Sequence, residues 1–222
     1  MTLTLNLILN LQWIPACTGM TYDGIYHYYG TTSMASINPP VCDFGWQAPN
    51  FNLPDFNPIF GDGRFVSRDL AMGKNGLLVI FICNHCPYVK AVLPRLIIDV
   101  SELKTLGVNT VAIMSNDPSD YPEDSVENMQ TIAREMDFPF PYLLDASQQT
   151  AKNYGAVCTP DFFGFNNQFQ LQYRGRFDES RKETAPNSTR DLFHAMHQIV
   201  EAGTGPRKQI ASIGCSIKWK ES

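Results

Sequence analysis

A cysteine at the junction between a buried strand and a helix constrains this chain more than any other feature. Residues 77–82 form a short, entirely apolar run, which is typical of a parallel sheet covered on both faces. An amphipathic helix follows, because apolar residues recur at helical spacing from Val89 onward. Pro87 suits the first helical position, where a proline loses no hydrogen bond. We therefore expect Cys86 to be the N-cap of this helix.

The N-cap position favours the thiolate form of Cys86. Unpaired backbone N–H groups and the positive end of the helix dipole stabilise negative charge at a helix N-terminus. His85 and Lys90 are close in sequence, and in such surroundings the pKa of a thiol falls from about 8.5 toward or below neutrality. The alternative is a small buried side chain with an inert sulfur. The position at a strand-to-helix edge beside a proline favours a nucleophile.

Composition fits one globular domain with appendages and argues against several function classes. The chain has 222 residues and a formal net charge of −5, so we expect no nucleic acid and no membrane as a partner. Its six scattered cysteines do not form a small disulfide scaffold. They are typical of a redox or metal site with bystander thiols. We find no phosphate loop, no pair of catalytic carboxylates and no Ser-His-Asp arrangement, and we expect no cofactor.

The N-terminal region is predicted to be an extension. No Lys or Arg precedes Arg64, and residues 1–14 are too short and too rich in asparagine to span a bilayer. A secretory signal needs a positive n-region, which is missing, so we expect a cytoplasmic protein whose thiols rest reduced. Our hypothesis is that the natural start lies near Met34 and that residues 1–33 are loosely attached. The proposed organisation is an extension, a domain and a packed C-terminal tail at residues 1–43, 44–205 and 206–222.

Periodicity beyond the first helix predicts an α/β sheet of mixed direction. Strands are predicted at residues 108–114, 142–144, 161–165 and 169–173, and helices at residues 125–136, 147–154 and 189–202. Strands alternate with helices and are followed by a hairpin and a last helix. This order is typical of a central mixed sheet flanked by helices.

Five short motifs, in this order, resemble the thioredoxin-like superfamily. They are Asn-His-Cys-Pro-Tyr-Val at 84–89, Phe-Pro-Tyr-Leu-Leu-Asp at 140–145, Tyr-Gly-Ala-Val-Cys-Thr-Pro-Asp-Phe-Phe at 154–163, Tyr-Arg-Gly-Arg at 173–176 and Gly-Cys-Ser-Ile-Lys-Trp-Lys at 214–220. Roughly residues 44–220 look most like the alkyl hydroperoxide reductase and thiol-specific antioxidant branch, within a peroxiredoxin-like bacterial group. The resemblance implies a thioredoxin-like α/β fold with a cis-proline loop and a C-terminal tail, and thiol-disulfide exchange as the activity.

The resemblance also sets the register of the cysteine motif. In thioredoxin-like proteins the first cysteine of a CxxC motif caps the helix and attacks, and the second lies one turn further on. Read from Cys86, the motif is Cys-Pro-Tyr-Val, so Val89 stands where the resolving cysteine would be. Pro94 then matches the proline that bends this helix. We interpret Cys86 as the nucleophile and Cys83 as an extra thiol upstream.

A substrate groove is implied by the same match. Thr159-Pro160 corresponds to the cis-proline that lies against the nucleophile in thioredoxin-like folds. We expect the groove to be shaped by these two residues together with His85, Pro87 and Tyr88. Its substrate would be a protein disulfide, or a low-molecular-weight disulfide or thiol. Whether the protein is a monomer or a dimer is left open.

The thiol that resolves the mixed disulfide is a ranked hypothesis. Cys158 is first, because the cis-proline loop and the helix N-terminus adjoin in this fold, although a disulfide needs Cα atoms within about 7 Å. Cys215 is second, in a tail whose aromatic and basic residues would fold over the site. Cys83 is third, at the end of the strand. Cys17 and Cys42 are interpreted as packed or exposed bystanders.

Departures from the related families define the alternatives. Peroxiredoxins have their peroxidatic cysteine where this chain has Val89, and a threonine or serine where it has Cys86, which counts against a thiol peroxidase. Thioredoxins have a buried aspartate at the position of Ile80, so the proton acceptor is elsewhere or missing. Cys83, His85 and Cys86 also offer soft ligands for Cu(I) or Zn(II), although we expect no metal. A non-catalytic binding module with a vestigial thiol is the remaining alternative.

Overall fold

The structure, a computed structural model, describes residues 36–40, 42–61, 63–185 and 187–221. The strands among them are β1 (Ser36–Ile37), β2 (Asn52–Pro54), β3 (Phe65–Ser67), β4 (Gly76–Phe81), β5 (Val108–Met114), β6 (Tyr142–Leu144), β7 (Cys158–Thr159), β8 (Asp161–Asn166), β9 (Leu171–Tyr173) and β10 (Gly214–Ser216). The helices are α1 (Arg68–Ala71), α2 (Pro87–Thr105), α3 (Val126–Glu135), α4 (Gln149–Tyr154) and α5 (Asp191–Ala202), with a 3-10 turn at Pro122–Asp124.

The central sheet is mixed and has the strand order β6-β5-β4-β8-β9. The β4, β5 and β6 strands are parallel, and β8 and β9 run antiparallel to their neighbours. All six residues of β4 are buried, which explains the apolar run in the sequence. The predicted central mixed sheet with flanking helices is confirmed.

Two hydrophobic cores lie on the two faces of this sheet. Leu78 and Ile80 belong to the core that also contains residues of α2, α3 and α5. Leu77 and Val79 belong to the second core, with residues of α1 and α4. This division follows from the alternation of side chains along a strand. Packing on both faces holds β4 in place. It therefore also fixes the position of the segment that follows β4.

A second, small antiparallel sheet has the order β1-β10-β7. In β10, Cys215 pairs with Thr159 of β7 on one side and with Ser36 of β1 on the other. Gly214 permits this approach, because a Cβ at that position would collide with the Thr159 carbonyl oxygen. The β10 strand, which carries Cys215, is therefore paired with β7, the strand that precedes Pro160.

Met34–Ser222 form one compact unit. The hypothesis of a loosely attached extension and the interpretation of Cys17 concern residues outside the described part of the chain. Residues 36 and 37, which we assigned to the extension, form β1. No helix among the described residues is long and apolar enough to cross a membrane.

Candidate active site

The α2 helix begins as the sequence predicts. Cys86 is its N-cap, with extended backbone angles (φ −67°, ψ 122°), and Pro87 is the first helical residue. No side chain caps the free backbone N–H groups there. The positive end of α2 therefore meets the Cys86 sulfur directly.

Three cysteines converge on Thr159, the residue before the cis bond to Pro160. The Cys86 thiol lies 3.1 Å from the Thr159 carbonyl oxygen, and Cys83 Sγ lies 3.2 Å from Thr159 Oγ1. Cys215 is the partner of Thr159 in the β10–β7 register. Residues far apart in sequence thus form one compact thiol cluster, which we define as Cys83, Cys86 and Cys215.

Within the thiol cluster, Cys86 is the sulfur that carries the charge. Its pKa is lowered, chiefly by a hydrogen bond from the Cys215 thiol, then by one from the Cys83 thiol, and also by backbone N–H groups; burial opposes this shift. The pKa values of Cys215 and Cys83 are raised, first because each gives its hydrogen bond to Cys86 and then by burial. The Thr159 carbonyl oxygen is a hydrogen-bond acceptor, so it favours the protonated form of Cys86. The donors around the sulfur favour the thiolate, and they outnumber this one acceptor. The cluster therefore favours a single negative charge, located on Cys86.

Cys158 lies beside the thiol cluster but faces the other way. Neighbouring residues of a strand point to opposite faces, so Cys158 turns away when Thr159 turns toward Cys86. The Cys158 thiol instead lies 3.5 Å from the Pro160 carbonyl oxygen, and burial raises its pKa. Of the two thiols that the sequence ranked first and second, the structure directs Cys215 at Cys86.

A buried carboxylate holds the segment before the nucleophile. Asp124 is fully buried and accepts hydrogen bonds from the Asn84 backbone N–H at 2.8 Å, the His85 ring Nδ1 at 2.7 Å and the Asn116 side chain at 2.8 Å. Burial would favour its neutral form, but the bonds from His85 and Asn116 outweigh burial and lower the pKa of Asp124. Asp124 is thus an ionised anchor for residues 84 and 85.

The same carboxylate selects the tautomer of His85. Because Nδ1 faces Asp124, a neutral ring carries its proton on Nδ1 and a lone pair on Nε2. The ring stacks on Tyr121 with a centroid distance of 4.7 Å. The Nε2 atom is buried and has no hydrogen-bond partner among the described residues. His85 Nε2 is thus a buried, unpaired ring nitrogen one residue before Cys86 in the chain.

A sulfur of Cys83, a ring nitrogen of His85 and a carboxylate oxygen of Asp124 lie within 4.8 Å of one another. This is a donor set that Zn(II) accepts in other proteins. In this structure His85 Nδ1 and an Asp124 oxygen are joined by a 2.7 Å hydrogen bond. We treat the two residues as a hydrogen-bonded pair.

The sequence model of the AhpC/TSA family matches residues 44–177, which is more than half of the chain. The chain belongs to the AhpC/TSA family. This confirms the resemblance to the antioxidant branch of the thioredoxin-like superfamily. A search of curated proteins found no match.

Solved structures place this AhpC/TSA-family chain among thioredoxin-like folds. An uncharacterized conserved protein from Geobacillus kaustophilus is 41% identical, with a TM-score of 0.79, over 85% of this chain and 98% of that one. A hypothetical protein from Sinorhizobium meliloti is 34% identical, with a TM-score of 0.77, over 83% and 99%. The thioredoxin domain of a thiol-disulfide oxidoreductase from Bacteroides vulgatus is 18% identical, with a TM-score of 0.53, over 71% and 97%. The last likeness shows the shared fold.

Of the five expected groove residues in this family member, Tyr88 and Pro160 line a cavity of about 290 Å³. His85, Pro87 and Thr159 are not among the residues that line it. The Tyr88 hydroxyl bonds to Ser36 at 3.2 Å, so β1 is tied to the first turn of α2. Cys86 itself is 0% exposed. In this conformation the nucleophile is closed off from solvent, and β10 forms part of its cover.

Asp124 and Asn116 were missed from the sequence. Both follow β5, which runs parallel to β4, so they lie at the same sheet edge as the segment that carries Cys86. Polar residues after a buried strand of a parallel pair are the signal that would have indicated them. Asp124 holds the His85 ring, and Asn116 donates a hydrogen bond to Asp124.

Proposed function

We propose that this protein is a thiol-disulfide oxidoreductase in which Cys86 is the nucleophile and Cys215 the resolving thiol. The observation that carries the proposal is the pairing of Cys215 with Thr159, whose carbonyl oxygen lies 3.1 Å from the Cys86 thiol. Our ranking from sequence placed Cys158 first. The opposite orientation of Cys158 on β7 favours Cys215 instead.

The reaction has two exchange steps. The Cys86 thiolate attacks one sulfur of the substrate disulfide, so a mixed disulfide forms and the other substrate sulfur leaves as a thiolate that takes up a proton. Cys215 then attacks the Cys86 sulfur, a Cys86–Cys215 disulfide forms, and the second substrate thiol is released. The substrate gains two electrons and the two cysteines lose two. An external thiol returns the protein to its reduced form.

The second step needs a proton acceptor, because the pKa of the Cys215 thiol is raised and only a thiolate attacks. His85 supplies a lone pair on Nε2 while Asp124 holds the opposite ring nitrogen. We propose that this pair accepts the proton of the resolving thiol. It thereby fills the role that a buried aspartate at position 80 has in thioredoxins.

The substrate is proposed to be a protein disulfide or a low-molecular-weight disulfide, and the setting the cytoplasm. Cys86 is fully buried, so a disulfide reaches it when β10 moves aside. The same burial favours a second candidate, a thiol peroxidase, since a peroxide needs far less space than a protein. The position of Cys86 at the N-cap instead of one turn further on counts against this candidate.

The two candidates separate when the reduced protein is treated with hydrogen peroxide, glutathione disulfide or a disulfide-bonded protein in parallel. Modified cysteines and their rates are followed by mass spectrometry after acid quenching. We expect exchange at Cys86 and a Cys86–Cys215 disulfide in the wild type and in Cys158→Ser, the matched control. Cys215→Ser should stop at the mixed disulfide.

Three outcomes would contradict parts of this proposal. A Cys83–Cys86 or Cys86–Cys158 disulfide would indicate that Cys83 or Cys158, and not Cys215, is the resolving thiol. Fast sulfenylation of Cys86 with little disulfide exchange would favour the peroxidase. No reaction faster than that of a free thiol would favour a binding module with a vestigial cysteine.

A further inference from the structure

The C-terminal residues 214–220, which we call the tail segment, lie along β7 in the manner of a bound peptide. Cys215 pairs antiparallel with Thr159, and the Ile217 N–H group donates to the Val157 carbonyl oxygen at 3.1 Å. Pairing with the edge of a sheet is a common way in which proteins bind an extended peptide. The β7 strand therefore offers an edge for an extended chain, and β10 fills that edge in this structure.

Beyond β10, two buried side-chain amides hold the main chain of the tail segment. Asn116 Oδ1 accepts a hydrogen bond from the Lys218 N–H group at 2.9 Å. Gln148 donates to the Lys218 carbonyl oxygen at 2.8 Å and accepts from the Lys220 N–H group at 2.9 Å. Asn116 is 5% exposed and Gln148 is 2% exposed. Because all three bonds go to main-chain atoms, any extended peptide in this position could make them.

Side chains of the tail segment are restricted at three positions. A Cβ on Gly214 would collide with the Thr159 carbonyl oxygen, and the φ of Gly214 is outside the left-handed region, so this closeness alone requires glycine. The next residue is Cys215, which is buried, and Ile217 is also buried. Ser216, between them, is partly exposed. The groove thus accepts the pattern glycine, cysteine, any residue, aliphatic residue.

We propose that the substrate of this site is an extended polypeptide segment with this pattern, and that the tail segment occupies its place when no substrate is bound. This inference rests on the proposed function of Cys86 as the nucleophile. The substrate cysteine would take the register of Cys215 opposite Thr159, whose carbonyl oxygen lies 3.1 Å from the Cys86 sulfur. Strand pairing would thereby present the substrate disulfide to Cys86. A small disulfide makes fewer of the main-chain contacts.

The test uses full-length Cys215→Ser and a peptide with the sequence of residues 212–220, whose cysteine forms a mixed disulfide with thionitrobenzoate. The Cys86 thiolate attacks the peptide sulfur, a Cys86–peptide disulfide forms, and thionitrobenzoate leaves with the electron pair of the broken bond. Its absorbance gives the rate, and mass spectrometry identifies the modified cysteine. Reaction of each disulfide with dithiothreitol corrects for its intrinsic reactivity.

The comparison peptide has alanine in place of the glycine before its cysteine. We expect it to react about tenfold more slowly or worse, as the cost of one overpacked methyl group predicts. The mixed disulfide of glutathione and thionitrobenzoate should also react more slowly than the glycine peptide. Both peptides need β10 displaced, so the ratio of their rates does not depend on how often β10 moves.

A protein variant tests the main-chain contacts separately. Gln148→Asn shortens the amide by one methylene, and asparagine tolerates the left-handed backbone of this position (φ 62°). The rate of the glycine peptide relative to that of the glutathione disulfide should fall about fivefold in this variant, because contacts to the peptide main chain are lost. Gln149→Asn, at the exposed neighbouring position, is the matched control and should keep the ratio.

The outcomes separate this inference from the proposed function. Equal rates for the two peptides, or no advantage of the glycine peptide over the glutathione disulfide, would overturn the substrate class and leave Cys86 as the nucleophile. No reaction of Cys86 with any of the three disulfides would refute the proposed function itself, and this inference with it.

Discussion

Replacing Cys215 by alanine should raise the pKa of Cys86. The Cys215 thiol is the largest single cause of the lowered pKa, ahead of the Cys83 thiol. Alanine removes the donor and leaves a small space. Serine keeps a hydroxyl at the same position and can still donate. The comparison of Cys215→Ala with Cys215→Ser therefore separates the hydrogen bond from the general effect of changing the tail.

The size of the shift follows from the energy of one hydrogen bond to a charged group. Such a bond contributes about 1.5–3 kcal/mol, and one pKa unit corresponds to about 1.4 kcal/mol. Because Cys86 is fully buried, water does not take over the lost bond in the closed conformation. We expect an upward shift of about 1–2 units in Cys215→Ala and a much smaller one in Cys215→Ser.

The assay is a pH titration of thiolate ultraviolet absorbance, with Cys86→Ser as the blank for the other cysteines. Absorbance reports ionisation without requiring that a reagent enter the closed site. Cys158→Ala should leave the titration of Cys86 unchanged, since its thiol faces the Pro160 carbonyl. An unchanged pKa in Cys215→Ala, or an equal shift in Cys158→Ala, would refute the proposed arrangement of the thiol cluster.

Three other perturbations test the site and its supports. The lowered pKa of Cys86 means that the unfolded chain binds more protons between that value and about 8.5, so the unfolding free energy of the wild type relative to Cys86→Ala should rise with pH through this window. Above about 8.5 it should fall, because Cys86 raises the pKa values of Cys83 and Cys215 in the folded protein; urea unfolding at several pH values measures both changes. Gly214→Ala places a Cβ against the β7 backbone and should slow formation of the Cys86–Cys215 disulfide more than it slows the first exchange step, in quenched mass spectrometry. Asp124→Asn should lower the unfolding free energy by about 3 kcal/mol, because charge-assisted bonds to residues 84 and 85 are lost; Asp120→Asn, in the exposed loop, should change it little.

The larger elements of the fold could be predicted from the sequence because their patterns are long. The predicted strands at residues 108–114 and 142–144 are β5 and β6 without change, and the predicted strand at residues 77–82 is β4, shifted by one residue. The start of α2 was equally clear, since a proline and a periodic apolar face locate a helix N-terminus by local rules. These elements can be predicted because their formation depends on residues that are neighbours in the sequence.

The short elements around the site were not predicted, and the reason is their length. Strands of two or three residues, such as β7 and β10, show no period. Their register decides which cysteine faces the nucleophile, because a shift of one residue turns every side chain to the other face. The sequence ranked Cys158 ahead of Cys215, and the pairing of Cys215 with Thr159 is what favours Cys215 instead.

The β10 strand carries Cys215, the proposed resolving thiol, and also covers Cys86, the proposed nucleophile. Access of a substrate to Cys86 is therefore coupled to resolution of the mixed disulfide. When β10 moves aside, a disulfide can reach Cys86, but the largest source of thiolate stabilisation and the resolving thiol leave together. When β10 returns, Cys215 is again aimed at the Cys86 sulfur, which then carries the substrate. Our proposal therefore assigns attack on substrate to an open state and release of product to a closed one. In thioredoxin-like proteins that carry both thiols on one helix, the two events are not separated in this way. In this chain Val89 stands where the second thiol would be, and our proposal assigns the resolving thiol to the tail.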